Sequence, residues 1–137
     1  MAYNESPEAE RALAAAVGLA KSLGAAVGTV SVMAELPAYS AFAGAADPSL
    51  QEILREDRRR IYQALQKKAR IFGELHGLKI STCTVDGREV AAIDFLRERK
   101  SDLLVVGLHP RDLYISRLWS TVYELAQDAP CSVLGVH

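Results

Sequence analysis

The chain lacks most of the features that mark a secreted, membrane-embedded or nucleic-acid-binding protein. It has two cysteines, Cys83 and Cys131, far apart and each set in an apolar, strand-like run. Such a pair suits neither a disulfide framework nor a metal site, so buried, reduced thiols and a cytoplasmic location are expected. No apolar run approaches the ~18 residues of a membrane span. The opening MAYNESPEAERALAAAV has no basic flank before its apolar part, so no signal peptide is expected. Lys and Arg total 16 against 17 Asp and Glu, a formal net charge of −1. That balance gives no global attraction to nucleic acid or to an anionic membrane.

Catalytic patterns are missing as well. The three histidines, His76, His109 and His137, fall at a helix end, in a loop and at the C-terminus. There is no H-x-x-x-H or C-x-x-C spacing for a metal, and no serine, histidine and acid in an order that fits strand-end placement. The expectation is a protein that is not an enzyme, with no metal site and no membrane insertion.

What is present is an ordinary globular composition, 50% hydrophobic and 24% charged over 137 residues. That length suits one domain, residues 1–137, and buries about two-thirds of the surface of the unfolded chain. Met1 to Tyr3 is a short apolar stub. Ser6 then stands as an N-cap with Pro7 in the first helical position, and Glu8 and Glu10 follow in the first turn, where negative charge suits the helix dipole. Leu13, Val17, Ala20 and Leu23 recur at helical spacing until Gly24 stops the helix. Ala26 to Met33 has strand length and is rich in valine. Ala34 to Pro48 has no period and reads as a loop or flap.

A long helix is expected from Ser49 to His76, with Leu50, Leu54, Ile61, Leu65, Phe72 and Leu75 as its apolar stripe. Its many basic residues alternate with acids, which favours a solvated, salt-bridged face over a nucleic-acid surface. Leu78 to Val85 alternates as a strand, and Asp86-Gly87 is a turn. Glu89 to Arg99 reads as a helix with Val90, Ile93 and Leu96 inward. Asp102 to Gly107 is apolar on both faces, as a buried parallel strand requires. Leu118, Val122, Leu125 and Ala129 mark a further helix, and Cys131 to Val136 a last strand. Strands alternating with helices, without hairpins, give an α/β fold with a parallel sheet, right-handed crossovers and helices on both faces.

The most informative segment is Leu103 to Thr121, LLVVGLHPRDLYISRLWST. A strand ending at a glycine, a polar loop and a new helix near Ser120 is how α/β proteins build a phosphate cradle, because free N–H groups at a helix N-terminus attract anions. Pro110 and Ser120 stand where such a loop prefers glycine. Pro110 has no N–H and Ser120 adds a Cβ. Each change costs about 1–3 kcal/mol, on the scale of a lost buried hydrogen bond. Arg111, Arg117 and His109 lie close enough in sequence to neutralise an anion.

With these elements in place, the chain resembles the universal stress protein family along nearly all its length. YNESPEAERAL resembles that family's first-strand exit and first helix, AAIDFLRERKSDLLVVG its third helix and fourth strand, and APCSVLGV its closing strand. The family motif is G-x-x-G, nine residues, then G and Ser or Thr. The same spacing here gives Gly107, Pro110, nine residues from Arg111 to Trp119, then Ser120 and Thr121.

The resemblance implies a five-stranded parallel open sheet in the order 3-2-1-4-5, its first strand truncated to the stub. A bare gap in the middle of a sheet leaves backbone groups unpaired, so the stub is expected to pair as far as it reaches. It also implies a degenerate nucleotide site at Ala2, Asn4, Val32, Gly107, His109, Pro110, Arg111, Ser120, Thr121 and Val122, with Asn4 where the family carries an acid. A homodimer is implied through the last strand, at Cys131, Val133, Leu134 and Val136. The function implied is a cytoplasmic, stress-type regulatory binding module with weakened or lost ATP binding and no cofactor. The alternatives are a genuine adenine-nucleotide-binding member using ATP with magnesium, possessing weak hydrolysis, and an accessory domain for a transporter or kinase that uses the flap or the basic helix.

Overall fold

The computed structural model describes residues 1–33, 48–87, 89–109 and 121–137. The elements run α1 (Pro7–Leu23), β1 (Val27–Met33), α2 (Pro48–Leu75), β2 (Ile80–Asp86), α3 (Glu89–Glu98), β3 (Leu103–Gly107), α4 (Thr121–Asp128) and β4 (Ser132–Val136). Local chemistry sets the ends of α1. The Ser6 side chain accepts from the Ala9 N–H at 3.1 Å, and Gly24 at φ 64° takes the left-handed position that closes the helix.

All strand pairing is parallel. β1 pairs with β2 from Val27↔Ile80 to Met33↔Asp86, and β3 pairs with β4 from Leu103↔Ser132 to Gly107↔Val136. The stub joins the two pairs. Ala2 forms an isolated parallel bridge to Val30. Val30 N–H donates to the Met1 carbonyl at 2.9 Å, Tyr3 N–H to the Val30 carbonyl at 2.9 Å, and Ala2 N–H to the Val105 carbonyl at 3.1 Å. The stub pairs as far as it reaches. It does not make a fifth strand, because three residues supply only one bridged position.

Helices cover both faces. On one, Met1, Tyr3, Val27 and Val105 pack with Ala9, Ala12, Leu13, Ala16, Val17 and Ala20 of α1 and with Leu65 and Ala69 of α2. On the other, Val30, Leu104 and Val106 pack with Ala92, Ile93 and Leu96 of α3 and Leu125 of α4. Residues 104, 105 and 106 thus alternate between two cores, as a strand buried on both faces must.

Several burial expectations are corrected. On α2 the inward face is Tyr62, Leu65, Gln66, Ala69 and Phe72, while Ile61 is 51% and Leu75 78% exposed. On α3, Ala92 is inward and Val90 is 63% exposed. Leu23, in the last turn of α1, is also exposed. Both cysteines are free, as expected, but they are half-buried instead of buried. The flap expected from Ala34 to Pro48 lies outside the described residues except for Pro48, which opens α2. The mixed charge of α2 is at least partly paired, Arg60 with Glu56 at 3.5 Å and Lys68 with Glu10 of α1.

Candidate functional site

In a parallel α/β sheet, ligands bind beyond the carboxyl ends of the strands where the connections diverge. Here β1 leads to β2 on one side and β3 leads to β4 on the other, with the stub between them. The carboxyl ends of β1 and β3, the exit of the stub and the start of α4 are the elements that carry the expected site.

Asn4 follows the stub. Its side-chain oxygen accepts from Ser6 N–H at 3.0 Å and from Ser6 Oγ at 2.6 Å. This Asx turn steers the chain into α1 and holds the N-cap serine. The residue aligned with the family's acid is therefore engaged in shaping a turn. Ala2 is half-buried against the α3 and α4 side of the core.

Val32 lies near the end of β1, half-buried against that same core. Its carbonyl accepts from the Tyr62 hydroxyl of α2 at 3.1 Å. Sequence reasoning missed Tyr62. The signal was its place one turn before Leu65 and Gln66 and two turns before Ala69, on the face that turns inward.

Gly107 ends β3, and the reason for a glycine is steric. A Cβ there would lie 2.5 Å from the Glu8 carbonyl carbon, 2.6 Å from its oxygen and 2.7 Å from Ala9 N. These are backbone atoms of the first turn of α1 and cannot swing aside. Gly107 lets the helix lie directly on the strand end. Leu108 then extends the ladder by one bond, donating its N–H to the Val136 carbonyl at 2.7 Å.

This packing brings the first turn of α1 to the start of the loop. The Glu8 carboxyl is held below the usual carboxylate range, first by its own backbone N–H, then by Arg11 at 3.2 Å, and also by the charge of exposed His109. An acid thus stands beside the loop, and His109 acts on it.

Thr121 is the first residue of α4. The free N–H groups in the first turn of an α-helix suit an anion, and α4 begins at Thr121. Val122 packs its side chain into the α3 and α4 core. Pro110, Arg111 and Ser120 lie outside the described residues. The structure thus brings Ala2, Asn4, Val32, Gly107 and His109 to the strand ends beside the stub. Among the described residues no cluster of three or more His, Cys, Asp or Glu side chains has metal-holding geometry. No helix there is long and apolar enough to cross a membrane.

At the far edge, β4 pairs with β3 and with no other described strand. Leu134 is 36% exposed. Cys131 and Val133 are half-buried against the α3 and α4 core, and Val136 against the α1 core.

Comparison with known proteins agrees with this arrangement. The profile of the Universal stress protein family matches residues 1–137. No curated protein matches the chain. Among solved structures, a protein from the universal stress protein family of Burkholderia pseudomallei is 26% identical, with 98% of this chain and 91% of that chain covered and a TM-score of 0.68. A universal stress protein in complex with cAMP is 21% identical, with 100% and 93% covered and a TM-score of 0.71. A universal stress protein family protein from Arabidopsis thaliana with AMP bound is 15% identical, with 98% and 87% covered and a TM-score of 0.69. At those two identities the likeness is one of fold. A family profile matched from the first residue to the last, on an α/β fold of parallel strands, carries the conclusion: the chain belongs to the universal stress protein family.

Proposed function

We propose that this protein is a stress-type regulatory binding module of the cytoplasm, dimeric through β4, with adenine-nucleotide binding weakened or lost and without enzymatic activity or a resident cofactor. The observation that carries the reading is the use already made of the strand ends. Gly107 accommodates the backbone of Glu8 and Ala9, and the carboxylate of Glu8 stands where a polyphosphate would bring more negative charge. Like charges at a shared site repel, and nearby His109 already acts on Glu8. Asn4, engaged with Ser6, adds no acid for the nucleoside. Pro110 and Ser120 in the motif remove an N–H and add a Cβ. The stub, bonded to both β1 and β3, stands for the central strand in this reading of the order 3-2-1-4-5.

The second reading is a genuine adenine-nucleotide binder, taking ATP with magnesium. It is favoured by the fold shared with proteins solved with cAMP and with AMP, and by the α4 N-terminus beginning at Thr121. In it the described residues supply Gly107, His109 and the first turn of α4, and bound magnesium supplies charge neutralisation at the phosphates.

Isothermal titration with ATP and magnesium, AMP and cAMP separates the two. The first reading expects dissociation constants of about 1 mM or weaker, near −4 kcal/mol. A micromolar affinity that Thr121→Ala abolishes overturns it in favour of the second.

A further inference from the structure

A leucine at the mouth of the candidate site leans on the outer strand of the sheet. Gly135 of β4 has no side chain, and the place above it is taken by Leu108, the first residue beyond β3. A Cβ on Gly135 would stand 2.9 Å from Leu108 Cγ and closer still to Cδ1. Leu108 is half-buried against the α3 and α4 core, as is Val133. Its N–H donates to the Val136 carbonyl at 2.7 Å. The next residue, exposed His109, acts on Glu8 at the strand ends.

The hydrogen-bond pattern fixes which groups of β4 point away from β3. In a parallel ladder the N–H and C=O of one residue point to the same side, and neighbouring residues alternate. Val136 accepts from Leu108, so Ser132, Leu134 and Val136 turn towards β3. Val133 and Gly135 turn outward, where β4 has no neighbour among the described strands. Ser132–Val136 holds no charge and no proline, the residues that guard an edge against pairing. β2, the opposite edge among the described strands, ends in Asp86, and Arg70 of α2 bonds to its Thr82 at 3.1 Å. Leu134 is the middle of the five residues of β4, with Val133 and Gly135 placed evenly about it. A two-fold axis at Leu134, perpendicular to the sheet, lays this strand antiparallel on a second copy of itself and matches all five residues. Opposite residues of an antiparallel pair share a face of the sheet. The axis therefore sets the partner's Val133 beside Gly135 on the α3 and α4 face, where the side chain present is that of Leu108.

We propose that Leu108 belongs to the interface with a second copy of this chain: it stands in for the side chain that Gly135 lacks and packs against the partner's Val133, so that pairing of the two copies steadies the entrance to the strand-end site. The proposal rests on the reading of β4 as the dimer strand. It adds a residue from outside that strand and gives the dimer a route to the site. Val133 and Gly135 bond through their outward N–H and C=O groups to the partner's Gly135 and the partner's Val133, and exposed Leu134 meets the partner's Leu134 on the other face. Leu108 is then held from three sides, by the Val136 carbonyl, by the backbone of Gly135 and by the partner's Val133. His109 follows it directly, so the residue that acts on Glu8 starts from a position the dimer fixes. Such coupling is reciprocal: a ligand that favours this arrangement of Leu108 and His109 strengthens the dimer by the factor by which the dimer strengthens its binding.

The test mixes copies of the full chain with and without isotope-labelled leucine and valine methyl groups, and records NMR contacts between labelled and unlabelled copies. Contacts of Leu108 with the partner's Val133, and of Leu134 with the partner's Leu134, are expected. In sedimentation equilibrium, Leu108→Ala is expected to raise the dimer dissociation constant about tenfold. Dilution of the parent chain below that constant is expected to speed amide exchange at Leu108 by about tenfold or more. The methyl contacts and the exchange need no substitution, so they decide the matter even where Leu108→Ala does not fold. Contacts between copies at Leu134 without any at Leu108 overturn the proposal and leave β4 as the dimer strand. A folded Leu108→Ala dimer as tight as the parent, or Leu108 exchange unchanged on dissociation, overturns it in the same way. A parent chain that stays monomeric, or contacts between copies confined to another surface, overturns the reading of β4 and the proposal together.

Discussion

Gln66 of α2 and Thr29 of β1 meet in the core through a 2.6 Å hydrogen bond, the threonine hydroxyl donating to the glutamine side-chain oxygen. The Gln66 amide donates in turn to Ser31 Oγ at 2.7 Å and to the Cys83 carbonyl at 2.8 Å, and Ser31 Oγ donates to the Tyr3 carbonyl at 2.6 Å. One polar side chain thereby ties α2, β1 and β2 together and, through Ser31, reaches the stub. Thr29, Ser31 and Gln66 are the buried polar residues of the described structure, and each has its partners. While Ser31 Oγ keeps its bond to the Tyr3 carbonyl, Gln66→Leu takes the partner from the Thr29 hydroxyl and the Gln66 bond from the Cys83 carbonyl. Its expected cost is about 2–5 kcal/mol in urea unfolding, from unsatisfied groups at about 1–3 kcal/mol each. The triple change Thr29→Val, Ser31→Ala, Gln66→Leu removes the three polar side chains, leaves the Tyr3 and Cys83 carbonyls without their side-chain donors, and is expected to recover part of that loss.

Gly107 separates packing from ligand binding. Gly107→Ala places a methyl group against Glu8 and Ala9 backbone and forces α1 off the strand end. We expect a loss of about 1–3 kcal/mol, the usual range for overpacking. The loss should appear equally with and without ATP and magnesium. A variant as stable as the parent without nucleotide, but impaired only in binding, contradicts the steric role.

The caps of α1 were readable in the sequence because they are local: Ser6, Pro7 and Gly24 act within one turn of their own positions. The strands were readable because valine-rich runs between helical periods have few other homes. The inward face of α2 was not, since Gln66 is polar and is buried only because Thr29, Ser31 and Cys83 lie opposite. Hydrophobic periodicity therefore chose Ile61 and Leu75, which face outward. At the candidate site the motif spacing was legible, but the reason for Gly107 was not, because it depends on Glu8, distant in sequence and adjacent in space. The same holds for the Tyr62 bond to Val32.

The exposed edge of β4 predicts self-association. Among the described strands β4 is paired on one side only, an arrangement that favours pairing with a second copy, and Leu134 adds apolar surface. Sedimentation equilibrium at micromolar concentration is expected to give a dimer, and Leu134→Arg a monomer with unchanged circular dichroism. A parent chain that sediments as a monomer removes β4 as an interface.

The Met1 amine makes stability depend on pH in a window set by one group. Burial lowers its pKa from 8.0 to about 6, with the nearby Cys131 acting in the opposite sense. In the unfolded chain the amine takes up its proton as pH falls through 8, whereas in the folded protein it does so only near 6. Between those values the unfolded state binds more protons, so stability rises with pH. The contribution is fully present above pH 8, is lost as pH falls towards 6, and amounts to roughly 2–3 kcal/mol at 1.36 kcal/mol per pKa unit. Urea midpoints measured from pH 5.5 to 8.5 should climb and then level, with carboxylates such as Glu8 titrating below this range. Acetylation of the α-amino group removes the titrating site and should flatten the climb. A slope that survives acetylation assigns the pH dependence to another group and leaves the amine solvated.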